Sequence, residues 1–444
     1  MAENLEQLLE EKRYYQLKEI LDDMEPPDIA LEFEDLSERH SAILFRLLHK
    51  EAAAEVFVEL ESDMQEALIK GFSDSELKEV VDELYVDDAV DIIEEMPANV
   101  VSRILRHADG EKRRDINQIL RYDPDTAGSM MTTEYVRLKK DMTVEDAFLH
   151  IRRTGTDKET IYTCYVTDQN RILLGLVSVK DLLLNDYSCL LEDIMETNII
   201  YLNTSDDKEY AAQQFDKYDF IAMPVVDKEQ RLVGIITVDD AIDVIQEEAT
   251  EDIEKMAAIL PSDKPYLRTG VIEIFLKRIP WLLLMMLSAT FTESIINSYQ
   301  SAFEACVILT AFIPMLMGTG GNSGSQSSVT IIRSLSLGDI DFSDTLKVVF
   351  KELRIAIICG LTLAVANFAK LMIFNSVGIK IAFVVSVALF GTVLIAKIIG
   401  SFLPILAKKL GFDPAVMASP IITTIVDAVS LVIYFQIATS VLHI

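Results

Sequence analysis

The feature of this sequence that most constrains its fold is the separation of charge from hydropathy along the chain. Residues 1–264 carry 28 basic and 62 acidic residues, a net charge of −34, whereas residues 265–444 carry 12 basic and 9 acidic residues, a net charge of +3. The chain is 25% charged and still has a positive mean hydropathy of +0.26, because the two properties occupy different regions. We therefore expect an acidic soluble region followed by a membrane region. The pattern excludes a single soluble domain, a nucleic-acid-binding protein with a basic face and a simple secreted protein.

The second region contains five apolar segments, each long enough for a helix that spans a membrane, which needs roughly 20 residues. They are residues 279–299, 303–332, 353–375, 380–406 and 414–442. Basic residues cluster on one side of these segments, at 277–278, 333–354 and 408–409, and Lys370 and Lys380 lie on the other side. The positive-inside rule then places the N-terminus in the cytoplasm and the C-terminus outside, in agreement with an odd number of spans. We expect a multi-pass protein of the cell (inner) membrane.

The cysteines and the N-terminal sequence agree with a cytoplasmic first region. Cysteines at positions 164, 189, 306 and 359 form no CxxC motif and have no regular spacing, so we expect no disulfide framework. Residues 1–17 are charged and amphipathic without an apolar core, which predicts that no signal peptide is present.

The N-terminal residues 1–128 are predicted to form an all-α superhelical domain. Three acidic amphipathic segments, residues 27–36, 52–60 and 87–96, resemble one another, and each has a small residue near its start. Helices of this kind bury an apolar face only by stacking on neighbours, as in short superhelical arrays. The pattern alone leaves open whether the domain binds a ligand or is a helical scaffold.

The middle of the chain contains an α/β repeat. MMTTEYVRL (130–138) matches IMETNIIYL (194–202), and residues 164–183 match residues 223–242 with the order strand, turn, strand, helix. This repeat resembles a tandem pair of CBS domains. The copies are residues 129–190 and 191–245. The resemblance implies a cleft that senses adenosyl ligands or ions, and a dimerising spacer with an empty cleft is the alternative.

A long acidic connecting helix is predicted between the CBS pair and the first span, in a segment that we bound at 246–270. The helical pattern covers residues 241–259 and carries a run of carboxylates. A solvated linker is the ordinary interpretation of such a run. Its position argues against that, because anionic lipid at a cytoplasmic membrane surface repels carboxylates. We therefore expect a cation to stabilise this helix.

The second span holds a glycine-rich stretch, MGTGGNSGSQSSVTIIRSL (317–335). A phosphate loop is excluded, because no strand is predicted before it and no GK[ST] follows. In a membrane this composition either permits close helix packing or breaks the helix locally to line a wet cavity. Asn322 and Gln326, four residues apart, are predicted to share a helix face.

Asp427 lies in the middle of the fifth span. A lone carboxylate there costs at least ~2.5–3.5 kcal/mol on insertion scales, so an acid at this depth indicates function. The alternative is a structural ion pair of Asp427 with Lys397 or Lys370. We disfavour that pair because both lysines are placed toward the ends of their spans, where they can snorkel.

The candidate intramembrane ligands are all oxygens. Besides Asp427 they are the hydroxyls of Thr423 and Thr424, main-chain carbonyls, and the amides of Asn322 and Gln326. Zinc, copper and nickel are poor fits without a His or Cys cluster, whereas Mg²⁺ or Ca²⁺ suits oxygen ligands. One aspartate per chain gives two in a symmetric dimer, enough charge for a hydrated divalent ion on the two-fold axis.

Taken together, the order of regions with GTGGNSGSQS and the DPA…SP…TT..D pattern resembles the MgtE-type magnesium transporters over the whole chain. The resemblance implies a homodimeric Mg²⁺-selective channel that imports Mg²⁺ down its electrochemical gradient and closes when cytosolic Mg²⁺ is high. It implies that Asp427 is the pore acid, Thr423 a carbonyl contact one turn earlier and Asp413 an entrance acid. Ser430 departs from the glycine that many relatives have there.

The resemblance also implies regulatory Mg²⁺ ligands in the acidic regions. They are Glu55, Asp87, Asp91, Asp216, Asp219, Asp240, Asp243, Glu248, Glu251 and Asp252. An adenine nucleotide such as ATP is a further candidate ligand of the CBS pair, and no nucleotide-contacting residue is carried over from the family.

Mg²⁺ is thus expected both as the transported ion and as the regulator, and the partners are a second copy and the lipid bilayer, with no nucleic acid. An enzyme is not expected, because the sequence has no nucleophile–base constellation, phosphate loop or metal triad. Two alternatives stay open. One is a membrane-tethered divalent-cation sensor without transport, and the other is a broader transporter of Co²⁺, Mn²⁺ or Ca²⁺.

Overall fold

The computed structural model describes residues 2–33, 36–262, 266–267, 269–300, 304, 306–375, 377–417 and 419–443. The chain divides into two compact units, Met1–Ile245 and Gln246–Ile444.

In the described part of the first unit, residues 2–33 and 36–128 contain ten short helices, as predicted for an all-α domain. They are α1 (Ala2–Glu10), α2 (Tyr14–Asp22), α3 (Pro26–Phe33), α4 (Glu38–Phe45), α5 (Lys50–Glu59), α6 (Ser62–Gly71), α7 (Asp74–Glu83), α8 (Val86–Glu95), α9 (Ala98–His107) and α10 (Lys112–Ile119). Alternate helices pack side by side, with α5 between α3 and α7, and α7 against α9. Their apolar faces form one core in which the Phe45 ring lies 5.2 Å from Phe72 and 6.0 Å from Phe57.

Two three-stranded sheets follow within the described residues 129–245, in the orders β1-β2-β3 and β4-β5-β6. The strands are β1 (Tyr135–Lys139), β2 (Thr160–Thr167), β3 (Leu173–Ser178), β4 (Leu202–Asn203), β5 (Ala222–Val226) and β6 (Leu232–Thr237). The helices are α11 (Val144–Thr154), α12 (Val179–Leu184), α13 (Leu191–Ile194) and α14 (Lys208–Tyr218). In each copy the first strand runs parallel to the second, which runs antiparallel to the third.

The repeat seen in the sequence has a structural counterpart in two glycines. Gly175 on β3 lies against Met195, and Gly234 on β6 lies against Met131, so closely that an added Cβ would come within 2.6 Å of the methionine sulfur in both places. Each methionine lies near the start of the other copy. The two copies are therefore interlocked at equivalent positions, which explains why glycine recurs there.

The connecting helix α15 (Val238–Met256) begins directly after β6 and continues into the second unit. It ends three residues before the predicted limit of 259, because Ala258 adopts a left-handed φ of 55°. The amides of Ala258 and Ile259 then donate to the carbonyls of Lys255 and Glu254, which closes the helix.

Within its described residues, the second unit contains five long helices at the positions of the predicted spans. They are α16 (Val271–Ser298), α17 (Ile313–Ser336), α18 (Thr345–Lys370), α19 (Ile379–Lys409) and α20 (Ser419–Leu442). Among the described residues, three helical stretches are long and apolar enough to cross a membrane, namely Phe342–Phe374, Ile379–Lys409 and Pro414–Leu442. The five-span arrangement therefore stays a prediction, and the predicted start of the second span at residue 303 lies outside the described residues.

The glycine-rich stretch is part of one continuous helix, α17, which packs against both α19 and α20. A Cβ added at Gly324 would lie 2.8 Å from Ile422 Cγ2 on α20 and 3.3 Å from the carbonyl oxygen of Ala396 on α19. A Cβ at Gly400 would collide with the backbone of Gly324. Of the two interpretations of this stretch, close packing is therefore the one that the structure supports.

Candidate divalent cation sites

The predicted pore residues lie one turn apart on α20, and the side chains of Asp427 and Thr423 are both partly exposed. The hydroxyl of Thr423 donates to the carbonyl of Pro420 at 3.0 Å, and the hydroxyl of Thr424 donates to the same carbonyl at 2.9 Å. In a helix the Thr423 carbonyl accepts the Asp427 amide, and its second lone pair is available to a ligand. The face thus offers one carboxylate and oxygen acceptors one turn away.

Helix α17 carries a polar face of its own. Asn322 and Gln326 are exposed on that face, as predicted, whereas Gly324 and Ser327 are buried on the opposite one. Exposed amides in a membrane helix are costly against lipid, so this face is suited to water or to a second protein surface. Ser430, which replaces the glycine that the resemblance led us to expect, is buried against Gly320 of α17. A Cβ added at Gly320 would lie 3.0 Å from Ser430 Oγ, so the glycine on α17 leaves room for the serine.

Lys397 lies with Glu352 and Ser327. Its Nζ is 3.9 Å from Glu352 Oε2 and 3.2 Å from Ser327 Oγ. The expectation that Lys397 is not the partner of Asp427 thus agrees with the structure, but the reason given for it is wrong. Lys397 does not snorkel, since only 6% of the residue is exposed. Lys370 is exposed at the end of α18.

Asp413, the predicted entrance acid, contacts the connecting helix. Lys255 Nζ lies 2.7 Å from Asp413 Oδ2 and 2.6 Å from Glu251 Oε1. Partial burial alone would lower the pKa of Lys255, but the hydrogen bonds to Asp413 and Glu251 raise it above its usual range. The cation expected to stabilise this helix is thus Lys255, which lies four residues, or about one helical turn, after Glu251.

Two further contacts hold the same end of α15. Ser336 Oγ donates to Asp252 Oδ2 at 3.1 Å, and Met256 packs beside a buried cluster of Ile332 and Ala415. Burial raises the pKa of Asp252, and the hydrogen bond from Ser336 opposes that rise. Glu248, one turn before Asp252, is partly buried.

In the first unit, an acidic cluster brings together α8, the start of α15 and the loops that precede β1 and β2. Asp87 is only 6% exposed. Its burial, and next the charge of Asp240, raise its pKa well above its usual range. Burial and the charges of Asp240 and Asp239 raise the pKa of Asp88 to about 7. The pKa of Asp240 rises to about 6 through burial, although the Thr237 hydroxyl donates to this carboxylate at 2.6 Å.

Three members of this cluster were not predicted from the sequence: Asp88, Glu134 and Glu159. Burial, followed by the charge of Asp88, raises the pKa of Glu159 to about 8. Glu134 Oε2 accepts the amide of Val86 at 2.9 Å, and burial raises its pKa. Both glutamates precede strands of the first CBS copy and reach α8 only through the tertiary fold. Asp88, next to the predicted Asp87, could have been found by its position.

A cavity of about 460 Å³ opens beside this cluster. Glu55, Asp88 and Glu134 are among the acids in its lining, and Lys112 is the cation. The Lys112 ammonium donates to the carbonyl of Leu84 and, at 2.9 Å, to that of Asp82. Glu55 thus shares the lining of this cavity with Asp88, the neighbour of the predicted Asp87.

The remaining predicted acids of the first unit are exposed. They are Asp91 on α8, Asp216 and Asp219 at the end of α14, and Asp243 on α15. Asp219 caps α14 with a left-handed φ of 55°. Burial and the charge of Asp239 raise the pKa of Asp243.

Across the described residues, no group of three or more His, Cys, Asp or Glu side chains is arranged to hold a metal ion.

Sequence profiles of three families match the chain. The profile of MgtE, a divalent cation transporter, matches residues 313–437. The profile of the MgtE intracellular N domain matches residues 24–125, and that of the CBS domain matches residues 127–186 and 191–247. These matches confirm the tandem CBS pair and the helical N-terminal domain.

Individual proteins match over nearly the whole length. The magnesium transporter MgtE of Thermus thermophilus is 36% identical over 442 residues, which cover 99% of this chain and 98% of that protein. The magnesium transporter MgtE of Bacillus subtilis is 32% identical over 440 residues, covering 98% and 96%. The crystal structure of the cytosolic domain of the Mg²⁺ channel MgtE in complex with ATP matches with a TM-score of 0.53 and 36% identity, over 55% of this chain and 100% of that one. This multi-pass membrane chain therefore belongs to the MgtE family of magnesium transporters.

Proposed function

We propose that this protein is a homodimeric Mg²⁺ channel of the cell membrane. It imports Mg²⁺ passively and has its N-terminus in the cytoplasm and its C-terminus outside. The observation that carries the proposal is the partly exposed pair of Asp427 and Thr423 on α20, a helix of mean hydropathy high enough to span a membrane in which Asp427 is the one charged residue between positions 419 and 442. A carboxylate at this depth is retained where an ion pathway needs it. The full-length likeness to two magnesium transporters supports the choice of ion.

A second copy completes the proposed pore. One chain supplies a single acid at this depth, and two-fold symmetry pairs it with the equivalent acid of the partner. Two carboxylates suit one hydrated divalent ion, because Mg²⁺ releases its waters reluctantly. The exposed amides of Asn322 and Gln326 then face the water that accompanies the ion.

The acidic clusters are the proposed sensors of cytosolic Mg²⁺. In the first unit, Asp87, Asp88 and Asp240 repel one another when charged, and Mg²⁺ bridging them relieves that repulsion. In the second unit, Glu251, Asp252 and Asp413 hold the end of the connecting helix on the membrane helices. Mg²⁺ thereby favours a compact closed state, which is a two-state equilibrium biased by ion binding.

An adenine nucleotide is proposed as a ligand of the CBS pair, because the 36% identical cytosolic domain was crystallised with ATP. A broader transport of Co²⁺, Mn²⁺ or Ca²⁺ is the second candidate. It is favoured by ligands that are all oxygens and by the match to a divalent cation transporter profile.

Uptake of Mg²⁺ into vesicles that contain the purified protein tests the proposal. Wild-type protein should carry Mg²⁺ without ATP, Asp427→Ala should not, and Asp427→Asn should retain a part because it keeps an oxygen. Equal uptake by wild type and Asp427→Ala would refute the pore assignment. Repeating the uptake with Co²⁺, Mn²⁺ and Ca²⁺ separates the two candidate functions.

A further inference from the structure

A buried polar network links three helices of the membrane unit and takes no part in the proposed ion path. Ser327 on α17 is 2% exposed, Glu352 on α18 is 8% exposed and Lys397 on α19 is 6% exposed. The Ser327 hydroxyl donates to Glu352 Oε2 at 2.6 Å, and the Lys397 ammonium donates to Ser327 Oγ at 3.2 Å. The ammonium lies 3.9 Å from the same carboxylate oxygen.

Stability alone does not account for this network. Replacing both partners of a buried ion pair by apolar residues of similar volume is often neutral or stabilising. The best-attested role of such a pair is to specify one arrangement of helices over its alternatives. One of the helices that it joins, α17, needs such a contact to fix its position along its axis.

That need arises from the small residues of α17. Gly320 and Gly324 lie four residues apart on the face that packs against α19 and α20, and Ser328, which is also buried, follows at the same spacing. A stripe of small residues allows close approach but offers few interlocking side chains. Polar contacts therefore add to what fixes the axial register of α17.

The network lies where it can contribute to that register. Ser327 is three residues after Gly324, and Lys397 is three residues before Gly400, which contacts Gly324. A slip of one turn would break the hydrogen bonds of Ser327 with both Glu352 and Lys397. A buried ion pair needs such additional hydrogen bonds, so the observed register is the one that satisfies it.

The axial register of α17 matters to transport because α17 also packs against α20, the helix that carries the proposed pore residues. A Cβ added at Gly321 would lie 3.0 Å from Thr423 Cγ2, so the two helices touch at the predicted ion contact. After a slip of one turn, Met317 or Ser325 would stand in place of Gly321. Either side chain would push α20 away from its position.

We propose that Ser327, Glu352 and Lys397 are positioning residues that fix the axial register of α17 and thereby the position of Thr423 and the ion selectivity of the pore. The selectivity part rests on the proposed channel function. The register part does not depend on it.

Two measurements on full-length protein test these parts separately. In a background with all four cysteines replaced by serine, disulfide formation by Ile331→Cys with Ile405→Cys reports the native register, since both residues lie in one buried cluster. Ile331→Cys with Ser401→Cys, one turn earlier, reports a slip. The ratio of Mg²⁺ to Ca²⁺ flux into vesicles reports selectivity.

The test variants are Glu352→Gln with Lys397→Met, and Ser327→Ala as a smaller change where the first fails to fold. The control is Asn367→Leu with Ser386→Ala, a buried pair 3.4 Å apart between α18 and α19 that includes no residue of α17. We expect the test variants to change the flux ratio by about threefold or more, the scale of remote coupling, and to move cross-linking toward the slipped pair. The control should leave both readouts at the wild-type level.

Wild-type flux ratio and cross-linking in the test variants, or equal changes in the control, would overturn the proposal. Recovery of both readouts by the charge exchange Glu352→Lys with Lys397→Glu would support it further. If the wild type carries no divalent flux, the channel function fails, and the cross-linking still decides the register.

Discussion

Raising the pH in the absence of divalent cations should destabilise the first unit, the reverse of ordinary acid denaturation. The acidic cluster around Asp87 is the cause, because its members have pKa values far above those of the unfolded chain. The pKa of Asp88 rises from 3.8 to about 7, that of Glu159 from 4.5 to about 8 and that of Asp240 from 3.8 to about 6. The folded state therefore holds protons that the unfolded chain has already released.

The sign and window follow from proton linkage. A carboxyl whose pKa is raised on folding contributes stability that is fully present below its unfolded pKa and is lost as the pH rises through its folded pKa. For this cluster the loss runs from about pH 4 to about pH 8. For Asp88 alone, a pKa higher by about 3 corresponds to about 4 kcal/mol, at 1.36 kcal/mol per pKa unit. Because the acids repel one another, their contributions to the free energy of unfolding are not independent. We therefore expect a total loss of a few kcal/mol, smaller than the sum of the separate contributions.

A carboxyl with a lowered pKa acts in a different pH range. Hydrogen bonds from Arg46, and next from the Ser73 amide, lower the pKa of Glu76 to about 2. A lowered pKa gives stability that is present above about pH 4.5 and lost only as the pH falls toward 2. Above about pH 5, Glu76 thus adds nothing to the slope that the acidic cluster produces.

Urea unfolding of a fragment of residues 1–260 measures this slope, first with a chelator and then with Mg²⁺ at about 10 mM. With the chelator, the free energy of unfolding should fall as the pH rises. Mg²⁺ should restore stability at pH 8 and flatten the curve, because it binds the folded cluster only. Asp88→Asn should flatten the curve without Mg²⁺, and Asp146→Asn, a substitution at an exposed capping carboxyl, should leave the slope unchanged. A free energy that is constant or rises with pH in the chelator would refute the reasoning.

Three further outcomes follow from the structure. Lys255→Met removes both ion pairs at the end of α15, each worth up to about 1 kcal/mol where partly exposed, so we expect a higher open probability at low Mg²⁺. The exchange Lys255→Asp with Asp413→Lys should restore closure. An unchanged open probability of Lys255→Met in single-channel records would contradict this role. Gly400→Ala forces a Cβ into the backbone of Gly324 and should lower the free energy of unfolding by about 1–3 kcal/mol, as overpacking does. Gly318→Ala should leave it unchanged, because the added Cβ meets nothing within 4 Å. Thermal unfolding in detergent compares the two variants. Neutralising Glu248, Glu251 and Asp252 together should weaken inhibition of the current by cytosolic Mg²⁺, and inhibition at the wild-type Mg²⁺ concentration would exclude them as a sensor.

Local patterns predicted much of this fold. The helical N-terminal domain and the repeated strand–turn–strand units follow from the spacing of apolar residues along the sequence. The span positions follow from long runs of apolar residues. The shared face of Asn322 and Gln326 and the spacing of Thr423 and Asp427 follow from helix geometry. The glycine pair Gly175 and Gly234 was visible as a repeat, although its contacts with methionines were not.

Other features depend on contacts between distant segments. Glu134 and Glu159 reach α8 only because the first CBS copy packs against the helical domain, so no spacing in the sequence points to them. Lys397 was misplaced at the membrane surface because its partner Glu352 is 45 residues away on another helix. Lys255 lies four residues after Glu251, and that spacing could have identified the cation that the acidic helix needed.

Current through the purified wild-type protein in a planar bilayer tests whether this chain is a passive Mg²⁺ channel. Each Mg²⁺ ion that moves passively through 100 mV gains roughly 4.6 kcal/mol, twice the ~2.3 kcal/mol per elementary charge. With unequal Mg²⁺ on the two sides and no ATP, we expect a current that reverses at the Mg²⁺ equilibrium potential and disappears in Asp427→Ala. A current that reverses elsewhere, that survives in Asp427→Ala or that requires ATP would contradict this expectation.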